Sequence, residues 1–484
     1  MTKPFPYKAV YFVGVKGVGM TALAVVAQER GCTVSGSDVP EKFVTEELLS
    51  KHHVKPLIGF KSSNLKDLLK SFKPEEILVV VTGAHNGMRN PEAVAAKEEQ
   101  CRVMTHGEAL GLFMQEKKQI SVAGSHGKTT TSAMIAHILS KSMKDPSFAV
   151  GAGSVISLKT SGHWGKGDYF VAEADEYVAD PASDKTPRFL YQKPHVAIIT
   201  SIDFDHPDVF DSLDDVKKAF VTFANQTEKN GQVIANADDQ QVLPCLPFIT
   251  AKKTTYGVSE QADIRIGSIS TLDRKSTFEL RAKDKKLVSI TLAVPGFHNI
   301  QNATAAALTA HAAGVSWRDI ARALATFAGT KRRFELVSDD HGIMLVDDYA
   351  HHPREIEATL SAAKSWFPHA RLMVLFQPHT YSRTRALFDD FITCFSAATA
   401  IGITDIFASA REKPDKKVSA KQLVEEIKKH NPQTYYVKNS KDFYEKIGSK
   451  LTQNDILFTM GAGDIYTWHP EIIKTLKHKN KETK

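Results

Sequence analysis

Ser121-Val-Ala-Gly-Ser-His-Gly-Lys-Thr-Thr-Thr-Ser132 is the stretch from which the rest of the chain is read. Gln119 to Ala123 has strand propensity, Gly124-Ser125-His126-Gly127-Lys128-Thr129-Thr130 follows, and a helical pattern continues through Met134, Ile135, Ile138 and Leu139. Strand, glycine loop and helix make a phosphate cradle. Backbone N–H groups and the helix N-terminus face phosphate oxygens, the lysine adds a positive charge, and a hydroxyl can join a Mg2+ shell. Two residues separate Gly124 from Gly127, fewer than in the full G-x-x-x-x-G-K-[ST] signature, so the alternative is a glycine-rich turn before an ordinary capped helix.

Toward the N-terminus, Lys8-Ala-Val-Tyr-Phe-Val-Gly14 reads as a buried strand, and Gly14-Val-Lys-Gly17-Val-Gly19-Met20 follows at once. A helical pattern from Thr21 to Glu29 and a second strand from Thr33 to Ser37, ending at Asp38, complete the outline of a Rossmann-type nucleotide site. The glycine spacing is G-x-x-G-x-G rather than G-x-G-x-x-G, which weakens the case for a dinucleotide and leaves open a tight crossing with no ligand. Strand candidates at Glu76 to Val81 and Arg102 to Met104 continue the α/β pattern, with His85, Asn86 and Asn90-Pro91 in the loop after the first.

Around the phosphate loop, a second unit spans about Lys117 to Phe327. Tyr169-Phe-Val-Ala-Glu173-Ala-Asp175-Glu176 and Val196-Ala-Ile-Ile-Thr-Ser-Ile-Asp203-Phe-Asp205-His206 both place acids at a strand's end. Mg2+ prefers oxygen ligands, so a strand-end carboxylate beside a phosphate loop suits a nucleotide–metal site, although such residues are also common as solvated or structural groups. Pro295-Gly-Phe-His298-Asn299-Ile-Gln-Asn302 opens an alanine-rich helix with both asparagines on one face. Helix capping by Asn299 is the plainer account. Gly329-Thr-Lys-Arg332-Arg333-Phe334 then crosses into a third unit. There Ile343-Met-Leu-Val-Asp347-Asp348-Tyr349-Ala-His351-His352-Pro353 and Leu372-Met-Val-Leu-Phe-Gln-Pro-His379-Thr-Tyr-Ser-Arg383 are strands with acids, histidines and arginine at their exits. No H-E-x-x-H or comparable spacing is present, which argues against zinc.

Composition narrows the class. Apolar residues make up 42% and charged residues 24% of 484, the balance of a soluble globular protein, and the length suits about three domains. The five lysines from Lys474 to Lys484, against Glu482, supply +4 of the net +7, so the body is near neutral and neither nucleic acid nor membrane is expected as a partner. Four scattered cysteines without a C-x-x-C pair, no long apolar run and no signal-peptide pattern point to a cytoplasmic protein.

With Gly124-Ser-His-Gly-Lys-Thr-Thr, Glu173-Ala-Asp-Glu, Asp205-His206, His298-Asn-Ile-Gln-Asn302, Arg332-Arg333 and Asp347-Asp-Tyr-Ala-His-His-Pro in this order, the chain resembles the Mur ligases over roughly residues 8 to 467. The resemblance implies an α/β fold of three domains: a Rossmann-like UDP-sugar domain (1–117), a central P-loop ATPase-like domain with a parallel or mixed sheet (118–328), and a Rossmann-like amino-acid domain (329–484). It implies ATP and Mg2+ as cofactors, and ligation of L-alanine to the lactyl carboxylate of UDP-N-acetylmuramate through an acyl phosphate, by a monomer or weak homodimer.

By similarity Lys128 would hold the γ-phosphate, with Thr129 or Thr130 and Glu173 on one metal and His206 on a second. Gly124, Ser125, His126 and Gly127 would cradle the phosphates and Arg332 or Arg333 reach them. Asn299 and Asn302 would face the adenine end and Asp348 the ribose. Gly14, Gly17, Gly19, Met20, Ser37, Asp38 and His85 would line the UDP-sugar pocket, and Tyr349, His351, His379 and Arg383 the alanine site. Some members use a carbamylated lysine; Lys217 and Lys218 are not clearly at that position. Glu173-Ala-Asp-Glu-Tyr-Val-Ala-Asp and Phe204-Asp-His-Pro-Asp-Val-Phe look more like the recycling ligase that attaches a murein tripeptide. Two other classes stand beside these readings: an NAD-dependent oxidoreductase using residues 8–38 and a non-catalytic nucleotide-binding regulator.

Overall fold

The computed structural model describes residues 5–479 except 182, 205–208, 341, 409–411 and 413–414. Ala9–Val13 is buried along its whole length, as a strand covered on both faces must be, and it lies at the centre of a five-stranded sheet. The order is Leu57–Ile58, Thr33–Asp38, Ala9–Val13, Ile77–Val81, Arg102–Thr105, parallel throughout. The helix Val18–Glu29 makes the first crossing, beginning inside the glycine run.

The central sheet has ten strands. Its parallel heart runs Lys252–Gly257, Gln232–Asn236, Val196–Ile199, Lys118–Ala123, Tyr169–Ala174, Ser147–Ala149. Gly162–His163 pairs antiparallel with Ser147–Ala149 at one edge. At the other, Ile264–Leu272, Lys275–Ala282 and Lys285–Leu292 form an antiparallel extension. The third sheet runs Glu335–Asp340, Ile343–Asp348, Ile456–Met460, Leu372–Phe376, Ala400–Ile403, Thr434–Tyr436, with the first of these antiparallel and the rest parallel.

Small residues let these units meet closely. Val10, Phe12, Met20 and Ala24 share one apolar core with Ala149, Phe170 and Ala172, so the first and central sheets are fused by packing. A Cβ on Gly162 would stand 2.1 Å from the Ala22 carbonyl oxygen, so only glycine permits the approach of the helix Val18–Glu29. Helices Lys128–Lys141 and Phe297–Ala312 pack on each other through alanine-rich faces within the central core. The first and third units touch through Tyr466, whose hydroxyl donates to the Lys42 carbonyl at 2.9 Å, and through an exposed Lys331–Glu47 ion pair at 2.7 Å. Among the described residues no helix is long and apolar enough to cross a membrane.

Candidate active site

Three neighbouring parallel strands of the central sheet deliver the site. Lys118–Ala123 runs into the phosphate loop, Tyr169–Ala174 carries Glu173 in register with Val122, and Val196–Ile199 leads on to Asp203. The carboxyl ends of adjacent parallel strands are where open α/β sheets bind ligands. Gly124 (φ +146°) and Gly127 (φ +82°) bend the loop, and a Cβ would stand 1.9 Å from Thr200 Oγ1 or 2.5 Å from Asn302 Oδ1 respectively. Both glycines are therefore required by backbone angle and by space.

Lys128 Nζ donates to the Gly124 carbonyl at 2.6 Å and to Glu176 Oε2 at 2.9 Å. Burial works against its charge, but Glu176 and Asp175 outweigh that and hold it above the ordinary lysine range. Thr129 Oγ1 donates to Glu173 Oε2 at 2.9 Å, and the Gly151 amide donates to Glu173 Oε1 at 2.6 Å. Burial, reinforced by the Asp175 charge, pushes Glu173 up to about 7. A buried carboxylate whose charge is this poorly compensated, beside a threonine hydroxyl, is a fitting acceptor for a hard divalent cation. Thr130 lies one turn position away, partly exposed.

Asn299 and Asn302 come together as the shared helix face predicts. Asn302 Nδ2 donates to Asn299 Oδ1 at 3.2 Å, and Asn302 Oδ1 accepts from Thr131 beneath the phosphate loop. The capping account of Asn299 does not apply: its amide donates to the Pro295 carbonyl, and no side chain caps this helix. Asp348 accepts the Phe334 and Ala350 amides, and burial, opposed by the Arg333 charge, sets it at about 6.

The paired arginines part company. Arg332 is buried and tied to Asp347 at 3.0 Å and to the carbonyls of Gly461 and Gly463, so it pins strand ends together and is not available to a phosphate. Arg333 lies closer to the loop, its Nη1 3.9 Å from Glu355 Oε1. Tyr349, His351, His379 and Arg383 gather at the exits of Ile343–Asp348 and Leu372–Phe376. Their ring centroids are 5.3 Å (Tyr349–His351) and 6.0 Å (His351–His379) apart, and Arg383 Nη1 donates to His379 Nδ1 at 3.1 Å. His206 lies outside the described residues.

In the first unit, Gly14, Gly17 and Gly19 follow the central strand, but Asp38 and Ser37 turn inward. Asp38 Oδ2 accepts the Lys16 amide at 2.7 Å, and Ser37 donates to buried Glu92 at 2.5 Å. Met20 is a core side chain. His85 Nε2 stays 3.9 Å from Asp38 Oδ1.

Several residues here carry no local motif. Glu92 also accepts from Tyr11, Asn64 and the Lys61 amide. Glu355 faces the loop histidine, with His126 Nδ1 3.1 Å away. His106, at the exit of Arg102–Thr105, is buried against Gly19 and held down at about 4, by burial first and the Arg188 charge second. Position after a strand was the one sequence signal for His106.

Comparison with known proteins gives three matching family models: the Mur ligase family catalytic domain at residues 9–118, the Mur ligase middle domain at 122–310 and the Mur ligase glutamate ligase domain at 332–463. The chain is 38% identical over 461 residues to a UDP-N-acetylmuramate–L-alanine ligase of Desulfitobacterium hafniense, covering 94% of this chain and 97% of that one. It is 37% identical over 469 residues to the enzyme of the same name from Trichlorobacter lovleyi, covering 96% and 98%. The solved UDP-N-acetylmuramate–alanine ligase of Thermotoga maritima superposes with a TM-score of 0.78 at 24% identity, over 98% of this chain and 100% of that one. A murein peptide ligase of Psychrobacter arcticus gives 0.70 at 24% identity, over 97% and 98%.

Proposed function

The chain belongs to the Mur ligase family, and we propose that it joins L-alanine to the lactyl carboxylate of UDP-N-acetylmuramate at the expense of ATP, in peptidoglycan precursor synthesis. The observation that carries this is the meeting of Lys128, Thr129 and Glu173 at adjacent strand ends, with the Tyr349–His351–His379–Arg383 group on the facing unit. A carboxylate is a poor electrophile and its oxygen a poor leaving group. Moving the γ-phosphoryl group onto it remedies both, provided charge on that group is neutralised.

Lys128 is the group for that neutralisation, exchanging Glu176 for phosphate oxygens. Mg2+ held by Glu173 and Thr129 would supply Lewis-acid charge at the same phosphates. Arg333 approaches from the third unit. Asn299, Asn302 and Asp348 take the adenosine. Arg383, a planar fork, suits the carboxylate of the incoming alanine. Gly14, Gly17, Gly19 and the loop Asp38 closes suit the uridine diphosphate. We assign residues 1–117, 118–328 and 329–484 to sugar nucleotide, ATP and amine in turn. We place the enzyme in the cytoplasm as a monomer or weak homodimer, a reading supported by four buried, unbridged cysteines.

The oxidoreductase and regulator readings are not favoured, because the curated relatives are named ligases. The tripeptide reading is not favoured either, because those names specify alanine. Mass spectrometry of the product from UDP-N-acetylmuramate, ATP, Mg2+, an amino-acid mixture and the tripeptide should show addition of one alanine residue. We expect kcat/KM for alanine to exceed that for tripeptide by roughly 100-fold or more; a ratio below one would overturn the amine assignment.

The two arginines separate in the same assay. Arg333→Ala should raise KM for ATP roughly tenfold with a smaller loss of Tm than Arg332→Ala gives. Arg332→Ala should cost about 3 kcal/mol of stability by taking the guanidinium from buried Asp347, which keeps only Thr459 and His469 among the described residues, and from the Gly461 and Gly463 carbonyls. The reverse pattern would exchange their roles.

A further inference from the structure

Among the described residues, one group of three metal-ligating side chains from distant parts of the chain converges. His126, Asp203 and His352 each present a ligand atom within 4.8 Å of the others. His126 belongs to the phosphate loop, Asp203 follows the strand Val196–Ile199, and His352 caps the helix Pro353–Trp366 of the third unit. Asp203 Oδ2 lies 3.3 Å from His126 Nε2 and 3.9 Å from His352 Nε2. Ligand atoms around a tetrahedral zinc ion sit about 3.3–3.4 Å apart, given metal–ligand distances of about 2.0–2.1 Å. Of the three separations, His126–Asp203 already matches, Asp203–His352 needs about half an ångström of closure, and His126–His352, within 4.8 Å, needs at most about 1.5 Å.

We propose that His126, Asp203 and His352 form a binding site for a divalent transition-metal ion of the zinc class, distinct from the Mg2+ position at Glu173 and Thr129. Two imidazoles and one carboxylate select zinc, cobalt or nickel over magnesium, which takes oxygen ligands. A supporting shell is in place. His126 Nδ1 lies 3.1 Å from Glu355 Oε1, the carboxylate–histidine–metal arrangement that turns the Nε2 lone pair toward the ion. Among the described residues, the contacts that oppose binding begin with the His126 Nε2–Asp203 Oδ2 hydrogen bond, which the ion would replace. Arg354 Nη1 stands 3.2 Å from Asp203 Oδ2, but its side chain is 64% exposed and can swing into water. His352 Nδ1 accepts the Arg354 amide at a long 3.3 Å; ligation through Nε2 puts the proton on Nδ1 and ends that contact.

Any proton displaced from His126 or His352 Nε2 leaves to solvent as the metal–nitrogen bond forms. Three protein ligands leave a fourth position for water. Because the ligands come from two units, the bound ion ties the third unit down on the phosphate loop and should slow turnover.

The test uses the full chain, stripped with chelator and free of nucleotide, titrated with Co2+ by visible absorption and with Zn2+ by calorimetry. We expect one ion per chain with tetrahedral Co2+ bands, at least tenfold weaker binding in His352→Ala, and severalfold tighter binding in Arg354→Ala, an exposed change that leaves the fold intact. Absence of saturable one-to-one binding in the unaltered protein overturns the site. So does His352→Ala binding as tightly as the parent, or weaker binding in Arg354→Ala. Alanine ligation with Mg2+ is measured separately, so failure here leaves the ligase assignment standing.

Discussion

Lys128→Ala is expected to abolish phosphate release dependent on sugar nucleotide and alanine, lowering kcat/KM by roughly 1000-fold or more, while UDP-N-acetylmuramate still binds. The lysine is the one side-chain cation hydrogen-bonded inside the phosphate loop among the described residues, 2.6 Å from the Gly124 carbonyl. Calorimetry with the sugar nucleotide and with a non-hydrolysable ATP analogue separates the two nucleotide sites. Loss of both affinities would show them to be wrongly placed. The substitution also takes the Lys128 ammonium from Glu176, which is 2% exposed, and removing the cation from a buried ion pair is destabilising. Lys128→Ala combined with Glu176→Gln should therefore recover Tm without recovering activity. Recovery of activity in the double variant would mean that the lysine serves the fold and not the phosphoryl group.

Glu173→Gln is expected to lower kcat by roughly 100- to 10,000-fold and, in metal-free protein above pH 7, to raise stability. Burial beside Asp175 lifts this carboxyl from 4.5 to about 7. The folded state thus holds the proton more tightly than the unfolded chain does. Stability is undiminished below pH 4.5, falls as the side chain ionises, and is lowest above pH 7. Removing the charge should restore about 3 kcal/mol at pH 8 and almost nothing at pH 4. Thermal unfolding in chelator at the two pH values measures the difference. A Glu173→Gln protein less stable than its parent at pH 8 would mean that the carboxylate is already compensated and has no need of a cation.

The parts legible in the sequence were those set by short-range chemistry. Continuous apolar runs gave the strands Ala9–Val13, Ile77–Val81, Val196–Ile199 and Leu372–Phe376 to within a few residues. The glycine loop gave the tight passage from strand to helix, and the three-residue spacing gave the joined face of Asn299 and Asn302. The antiparallel extension Ile264–Leu272, Lys275–Ala282, Lys285–Leu292 carries the polar–apolar alternation of half-buried strands, but no chemistry-bearing motif marks it in the linear order. Asp38 and Arg332 looked like ligand contacts in the linear order. Folding turns one onto the Lys16 amide and the other onto Asp347. Glu92 and Glu355 stand in ordinary helical contexts, and their roles depend on partners far away in the chain. The spacing rule that argued against zinc concerns neighbours in sequence, and it had no means of joining His126 to Asp203 and His352.

Among the described residues, the polar links between the first and last thirds of the chain include one tyrosine hydroxyl on the Lys42 carbonyl and one lysine–glutamate pair whose Glu47 side chain is 82% exposed. An exposed pair of this kind contributes about 0–1 kcal/mol, and a single hydrogen bond about 1 kcal/mol. That seam behaves like a snap fastener: it registers the two flaps against each other, yet thermal motion alone can undo it. Little free energy in these two contacts therefore opposes the parting of this edge.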